Sequence, residues 1–422
     1  MTDLKECVVI DCVRTPVGKS SRKGVEKPGG AFRTCSAQDL LITAIEAVIN
    51  KVKAKSADFD PAEIEDCAVG CLSQIGEQGG NIGRMSILLA GLPYEIAGQT
   101  IDRYCNAGLQ AINTCANAIR VGDGDIMIAA GVESMTHYSM GVSMEVAMKA
   151  KIPVFMSERI NQLKWVQQGE SAEMIADKYG FSRELMDKFG LWSHQKATKA
   201  MRNKEEYQKR VVPVTYTAFD YPDRTTKKQV TITEDQTVRP VCLDEPERAL
   251  EGIAKLKPTF RSERKGGRVT AGNSSQIVDG AAACILMSRE KADKLGLKPM
   301  ASVVSTAVGG DEPVIMLLGP VPAQKRALAR AGKEMKDMDV IEPNEAFATP
   351  CLAFAEEFGY DHFDPRVNPT GGAISIGHPI GASGVIYFTE MVHELVNRNL
   401  KWGIQTLCGG GGVGIATVVK RS

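Results

Sequence analysis

An α/β architecture in two similar halves is what this sequence predicts, and three observations predict it. Short apolar runs of strand type alternate with helical stretches over residues 1–136. The same rhythm returns after Ile277, with 277–299 completing the first half and 300–422 forming the second. Between them, 137–276 is Met-rich at first and then strongly charged, the texture of an inserted loop domain that covers a substrate. A chain of 422 residues has room for about two or three structural units. Its 43% hydrophobic residues can fill a large core.

The elements follow in order. Val8, Val9 and Ile10 form a strand, followed by a loop rich in Gly, Lys and Arg up to Arg33. The spacing predicts a helix over 37–52, strands over 64–69 and 99–102, and a clear strand over 126–130. In the inserted stretch, helices start near Ser171 and Ser182, and Leu185, Phe189 and Trp192 fall at i, i+4 and i+7 as one buried stripe. Strands return at 281–287, 302–307 and 340–341. A helix after Ala382 and two strands, 403–407 and 414–419, close the chain. The repeat between the halves is one of pattern and not of residues.

Several function classes fall away on composition. Lys+Arg and Asp+Glu are both 51, so there is no basic surplus of the kind nucleic-acid binding wants. No apolar run approaches the ~20 residues of a membrane span. The start of the chain lacks the apolar core of a signal peptide, and the end, Lys420-Arg421-Ser422, is not a peroxisomal address. Eleven cysteines without disulfide-like spacing suit a reduced compartment, so cytoplasm is expected. Cys67 and Cys71 lack the second pair or the histidines of a zinc site, and no metal is expected.

Chemistry gathers at glycine-associated turns. Cys105 lies at the start of a helix whose Leu109, Ile112, Ala116 and Ile119 recur at helical spacing. Free N–H groups and the helix dipole there favour a thiolate, which is expected to lower the thiol from about 8.5. His378 sits among five glycines between Gly371 and Gly384, in a loop that enters a helix, as a candidate general base. Cys408 precedes four consecutive glycines, 409–412, whose N–H groups can face a substrate oxygen. Asn344, in Asn344-Glu345-Ala346-Phe347-Ala348, can hold a water or donate to an oxyanion.

Together these segments closely resemble the thiolases, in the family's order and across essentially the whole chain. The patterns are C-x-x-G-L-Q-A, N-E-A-F-A, G-G-A-I-x-x-G-H-P-x-G-x-S-G and C-G-G-G, here around Cys105, Asn344, His378 and Cys408. Arg14-Thr15-Pro16-Val17-Gly18, 269–275 and 319–323 match as well. The Asn-Glu-Ala-Phe segment separates the chain from the sterol-carrier type. The resemblance implies the thiolase fold, two α/β halves packed as five layers (αβαβα), and a homodimer or homotetramer. It also implies cleavage of a 3-ketoacyl-CoA by coenzyme A, with no cofactor beyond CoA as substrate. Cys105 is then the nucleophile, His378 its base, Cys408 the acid and Asn344 the holder of a water. The N–H of Gly410, with that of Cys105, holds the oxyanion. Ala271, Gly272 and Ser275 fall where thiolases bind CoA, Ser275 at a residue that contacts the pantetheine arm.

The chain departs from the family in places. Residues 71–84 look like the degradative, β-oxidation branch. Where thiolases commonly have Met-Gly, this chain has Gln168-Gly169; Asn106 and Ala107 replace two small residues that are usually Ser; Val278 replaces an Asn. A polar Gln168 in the acyl pocket, with Arg159 to pair a carboxylate, points to a carboxylated or aromatic 3-ketoacyl-CoA, of 3-oxoadipyl-CoA or benzoylsuccinyl-CoA type. That reading also brings an accessory subunit into view. Biosynthetic joining of two acetyl-CoA units and a catalytically silent scaffold are the rival readings; the presence of all four chemical residues argues against the second.

Overall fold

The computed structural model describes residues 4–20, 29–151, 162–220 and 224–422. Twelve strands are present among them. They are β1 (Cys7–Arg14), β2 (Gly18–Lys19), β3 (Asp66–Gly70), β4 (Gln99–Ile101), β5 (Ile126–Ser134) and β6 (Val214–Phe219). The rest are β7 (Lys227–Ile232), β8 (Val278–Ser288), β9 (Ala301–Gly310), β10 (Val340–Pro343), β11 (Trp402–Cys408) and β12 (Val413–Arg421). Ten form one sheet in the order β10-β11-β12-β9-β1-β8-β5-β3-β4, with β2 on β8, while β6 and β7 make a separate hairpin.

The two halves expected from the sequence are thus joined edge to edge. The seam is narrow: β1 meets β9 only at Val8↔Ser302 and Val9↔Ala301. Strand alternation then builds the layers. On β1, β5 and β8 one set of side chains (Val8, Ile10, Ile128, Ala283, Ile285) packs beneath the helix Ala37–Lys55. The other set (Val9, Cys12, Ala129, Cys284, Leu286) faces a core shared with the helices Ala107–Val121 and Ser383–Asn397. Beyond those helices, Val340, Leu407 and Ile415 close the same core from the second half. Ile341, Ile404, Ala416 and Val418 turn away from it, under Ala323, Ala327 and Leu328 of the helix Pro320–Ala331. The result is helix, sheet, paired helices, sheet, helix.

Local signals explain the boundaries. Ser36 caps Ala37–Lys55 by accepting from Asp39 N–H at 2.9 Å, with Asp39 in the first turn and Lys53 and Lys55 in the last, as the helix dipole favours. Ser182 caps Arg183–Arg202 the same way, accepting from Leu185 N–H at 3.1 Å. The helix expected near Ser171 begins earlier, as Gln168–Tyr179. In the apolar stripe Phe189 is fully buried, edge-on to Trp192 at 5.6 Å, while Leu185 and Trp192 are half-buried.

A buried ionic network fixes the inserted stretch to the core. Arg14, at the end of β1, meets Glu390 Oε1 at 2.6 Å and both oxygens of Asp235 at 2.8 Å. Arg210 takes the other Glu390 oxygen at 2.6 Å, and Tyr207 donates to Asp235 at 2.9 Å. The two arginines hold the Glu390 carboxyl down to about 2 against the opposing effect of its burial. Among the described residues no helix is long and apolar enough to cross a membrane.

Candidate active site

Backbone contact between two helix starts brings the thiol and the imidazole together. Gly108 and Gly384 are each the second residue of their helices, Ala107–Val121 and Ser383–Asn397. A methyl at Gly384 would fall 2.0 Å from Leu109 N, and one at Gly108 would fall 2.7 Å from Gly381 O. Only glycine lets these two turns lie against each other. Cys105 precedes the first helix and His378 the second, and both line one cleft of about 630 Å³.

Cys105 follows a strained turn. Tyr104 adopts φ of 51°, a left-handed conformation costly for a tyrosine, and Asp102 holds it by accepting from Tyr104 N–H at 2.8 Å. The thiol is buried in an apolar cluster with Met135 and Ile380. The thiolate expected from the helix end does not prevail. Burial pushes the thiol up to about 11, the Gln168 side chain opposes it, and the nearby carboxylates Glu133 and Asp102 act in the same direction as burial.

His378 is held as a neutral base. Its Nδ1 lies 2.6 Å from Ser383 Oγ, and that hydroxyl donates its one hydrogen to Pro379 O at 2.9 Å. Ser383 can therefore only accept from the ring, so Nδ1 carries the proton and Nε2 keeps a lone pair. Asn344 Nδ2 stands 3.5 Å from that Nε2. Burial drives His378 down to about 4, below the ordinary histidine value of about 6.5.

Asn344 and Cys408 complete the floor. Asn344 N–H donates to Thr406 O at 2.9 Å, and its buried Oδ1 has no partner among the described residues, the position of a group that can take a water. Its neighbour Glu345 clamps the His378 loop, accepting from Ser193 Oγ at 2.6 Å, Asn368 Nδ2 at 2.8 Å and Ile374 N–H at 3.2 Å. Cys408 ends β11; burial pushes its thiol up, and the Cys105 charge adds to the effect. The amide of Asn106, oriented with its NH2 toward this strand end, donates to Leu407 O and Cys408 O at 3.0 Å each. Gly410 lies beside Tyr104, whose ring is 3.4 Å from where a Cβ on Gly410 would stand.

The remaining expectations divide. Ala271, Ser275 and Gln168 line the cleft. Gly272 does not: a methyl there would meet Ile253 at 2.7 Å, and its carbonyl packs against Gly190, so it shapes the loop from behind. Arg159 lies outside the described residues. Ser383 and Glu345 were within the motifs without an assigned role, and a serine at the first helical position after the histidine loop was the available signal. Phe347, inside the Asn344 motif, also lines the cleft, as do Met135, Phe260 and Arg239, which are scattered too widely in the sequence for any motif to gather them. Arg239 and Lys19, both exposed, supply positive charge at the cleft.

Comparison with known proteins agrees with this arrangement. Residues 7–290 match the family described as "Thiolase, N-terminal domain", and residues 297–421 match "Thiolase, C-terminal domain". The chain is 38% identical over 421 residues to a 3-ketoacyl-CoA thiolase of Idiomarina loihiensis, covering 99% of this chain and 100% of that one. It is 39% identical over 419 residues to one of Aliivibrio fischeri, with the same coverage. The crystal structure of the Bacillus anthracis acetyl-CoA acetyltransferase superposes with a TM-score of 0.84 at 30% identity, covering 100% of both chains. With its layers, its cleft and both halves of its sequence in agreement, this chain belongs to the thiolase family and is an acyltransferase.

Proposed function

We propose that the chain cleaves a 3-ketoacyl-CoA with free CoA, through an acyl-Cys105 intermediate, to acetyl-CoA and a shortened acyl-CoA. The observation that carries this is the pairing in one cleft of Cys105 with a histidine whose Nε2 is kept unprotonated by Ser383. His378 Nε2 takes the thiol proton, and the sulfur attacks the 3-keto carbon. The N–H groups of Cys105 and Gly410 hold the oxyanion. The bond between C2 and C3 then breaks, its electron pair passing to an acetyl-CoA enolate beside protonated His378 and a water on Asn344. Cys408 gives its proton to that carbon, and its thiolate is then the base for the thiol of incoming CoA. Attack on acyl-Cys105 releases the shortened acyl-CoA, and His378 returns the proton to Cys105.

Support comes from the chemistry of the donors. The neutral thiol and neutral imidazole need no charge to be stored in a buried site before substrate arrives. Arg239 and Lys19 suit a cofactor that carries phosphates. The relatives' names point to 3-ketoacyl-CoA as the substrate class. A carboxylated or aryl acyl group is the finer reading that Gln168, in a wall otherwise lined by Met135, Met140, Phe260 and Ile380, keeps in view.

The test is CoA-dependent loss of the 3-ketoacyl-CoA enolate absorbance across a panel, with Cys105→Ser beside it. The panel runs from acetoacetyl-CoA through medium and long chains to carboxylated and aryl substrates. Highest kcat/KM on unbranched chains makes it a β-oxidation thiolase; preference for a carboxylated or aryl substrate assigns it to specialised catabolism. Cleavage undiminished in Cys105→Ser would overturn the mechanism.

A further inference from the structure

We propose that Glu133 is a positioning residue for the catalytic pair, a buried carboxylate that ties the His378 loop to the chain beside Cys105. The inference rests on the acyl-Cys105 reading and adds to it the group that holds thiol and imidazole in register.

The contacts converge from three directions. Glu133 is the next-to-last residue of β5 and is fully buried. Its Oε2 accepts from Gly381 N–H at 2.9 Å and from Leu72 N–H at 3.0 Å. Its Oε1 accepts from Ser73 N–H and from Gln78 Nε2, at 3.0 Å each. Gln78 is itself pinned, donating to Ser73 O at 2.8 Å and accepting from Ser134 N–H at 2.6 Å. Backbone packs tightly around this junction. A methyl on Gly381 would fall 2.6 Å from Cys71 Cα and 2.7 Å from Val132 O, and one on Gly131 would fall 2.6 Å from Gly381 O.

The junction links the two reacting groups. Leu72 packs on the apolar cluster of Cys105, Met135 and Ile380. Gly381 stands between His378 and Ser383, so its tether holds the segment that carries both the imidazole and the hydroxyl that orients it. The residue type fits the task. Four N–H donors meet at two oxygens, and an ionised carboxylate offers about four acceptor sites and no hydrogen of its own. An amide there would turn its NH2 toward two of those donors. Burying a carboxylate among neutral N–H groups is costly, and the four hydrogen bonds are what offset the cost. The contact at Gly384 fixes how closely the two helix starts approach. Glu133 fixes the loop that leads into the second of them.

The test separates position from charge and from stability. Glu133→Gln removes the charge and keeps the size; Glu133→Asp keeps the charge and shortens the arm by a methylene. Both are compared with the wild type on the best substrate of the 3-ketoacyl-CoA panel, at a temperature below the onset of each thermal melt. Steady-state thiolysis gives kcat and KM, and a single turnover without CoA gives the rate of acyl-Cys105 formation by peptide mass. In both variants kcat and the acylation rate are expected to fall about tenfold or more, with KM for CoA unchanged. Retained kcat in both folded variants, whatever their melting temperatures, would overturn the proposal and leave the clamp a support of the fold alone. A loss in Glu133→Gln with Glu133→Asp at the wild-type rate would also overturn it, assigning the effect to the carboxylate's charge on Cys105. A raised KM with unchanged kcat would do the same. Glu133→Asp decides the matter if Glu133→Gln does not fold. Failure of the acyl-Cys105 reading is a separate event, seen as retained turnover in Cys105→Ser.

Discussion

Ser383 Oγ sits 2.6 Å from His378 Nδ1 and passes its own hydrogen to the Pro379 carbonyl 2.9 Å away. One hydroxyl thus decides which imidazole nitrogen is the base, from five residues along the chain. Ser383→Ala removes the acceptor and leaves the ring free to place its proton on Nε2. General-base catalysis contributes about 10²–10⁴-fold, and part of it should be lost. The expected outcome is a drop in kcat of about tenfold or more with a folded enzyme, measured by steady-state thiolysis beside circular dichroism. Ser383→Thr, which keeps the hydroxyl, is expected to retain most activity.

The paired groups set the pH behaviour. With Cys105 pushed up to about 11 and His378 down to about 4, the resting pair is neutral between those values. The plot of kcat/KM against pH is expected to be flat through neutrality, without the limb near 6.5 of an ordinary histidine. A thiolate–imidazolium resting pair would instead show rapid alkylation of Cys105 that persists well below pH 7.

Stability follows the same ionisations. His194 is driven to about 3 and His378 to about 4, both below the usual histidine value, so each binds its proton more readily unfolded than folded. Their neutral forms support the fold fully above about 6.5, and that support is lost as pH falls toward 4 and then 3. Thermal melts are expected to decline from about pH 6.5 downward. His194→Gln should flatten the decline by one proton. An unchanged slope in that variant would count against burial as the cause.

How much of this was legible in the sequence varies with range. Residues in local patterns were readable: continuous apolar runs placed β1, β5 and β8, and the spacing of Leu109, Ile112, Ala116 and Ile119 placed the helix behind Cys105. The seam at Val8 and Val9 with Ser302 and Ala301 was not, because a two-pair contact between strands nearly 300 residues apart leaves no periodic signal. The electrostatics of Cys105 went against the sequence argument for a similar reason. The helix end is local, but the burial that outweighs it comes from Met135 and Ile380, which only the fold brings near. Gln168 stood out as a departure from the family pattern; its place in one cleft with Cys105 needed the fold.

The Arg14 network offers a test of stability apart from catalysis. Arg14 is 1% exposed and is shared by Glu390 and Asp235, which it neutralises together with Arg210. Removing it would leave buried carboxylates without enough positive charge. Breaking such a pair from one side costs about 3–5 kcal/mol. Arg14→Met is expected to lower the urea midpoint by a corresponding amount, while Arg14→Met with Glu390→Gln and Asp235→Asn should recover part of it, since fewer charges are then left unpaired.

Gly384 carries the geometric claim on which the site depends. If contact between the two helix starts sets the separation of Cys105 and His378, a single methyl should damage catalysis more than folding. Gly384→Ala places a carbon 2.0 Å from Leu109 N, which backbone cannot accept without the helices Ala107–Val121 and Ser383–Asn397 moving apart. Overpacking of this kind costs about 1–3 kcal/mol, tolerable in a domain with so large a core. A misplacement of about 1 Å in a catalytic pair can cost about 10²-fold in rate. The expected variant is folded, keeps its affinity for CoA near normal, and has lost most of its kcat. Gly332→Ala is the control, at a helix end with open space around it, where the positive φ of 61° alone resists the methyl. It should lose a little stability and no activity. Equal activity in the two variants would show that the approach at Gly384 does not set the catalytic distance.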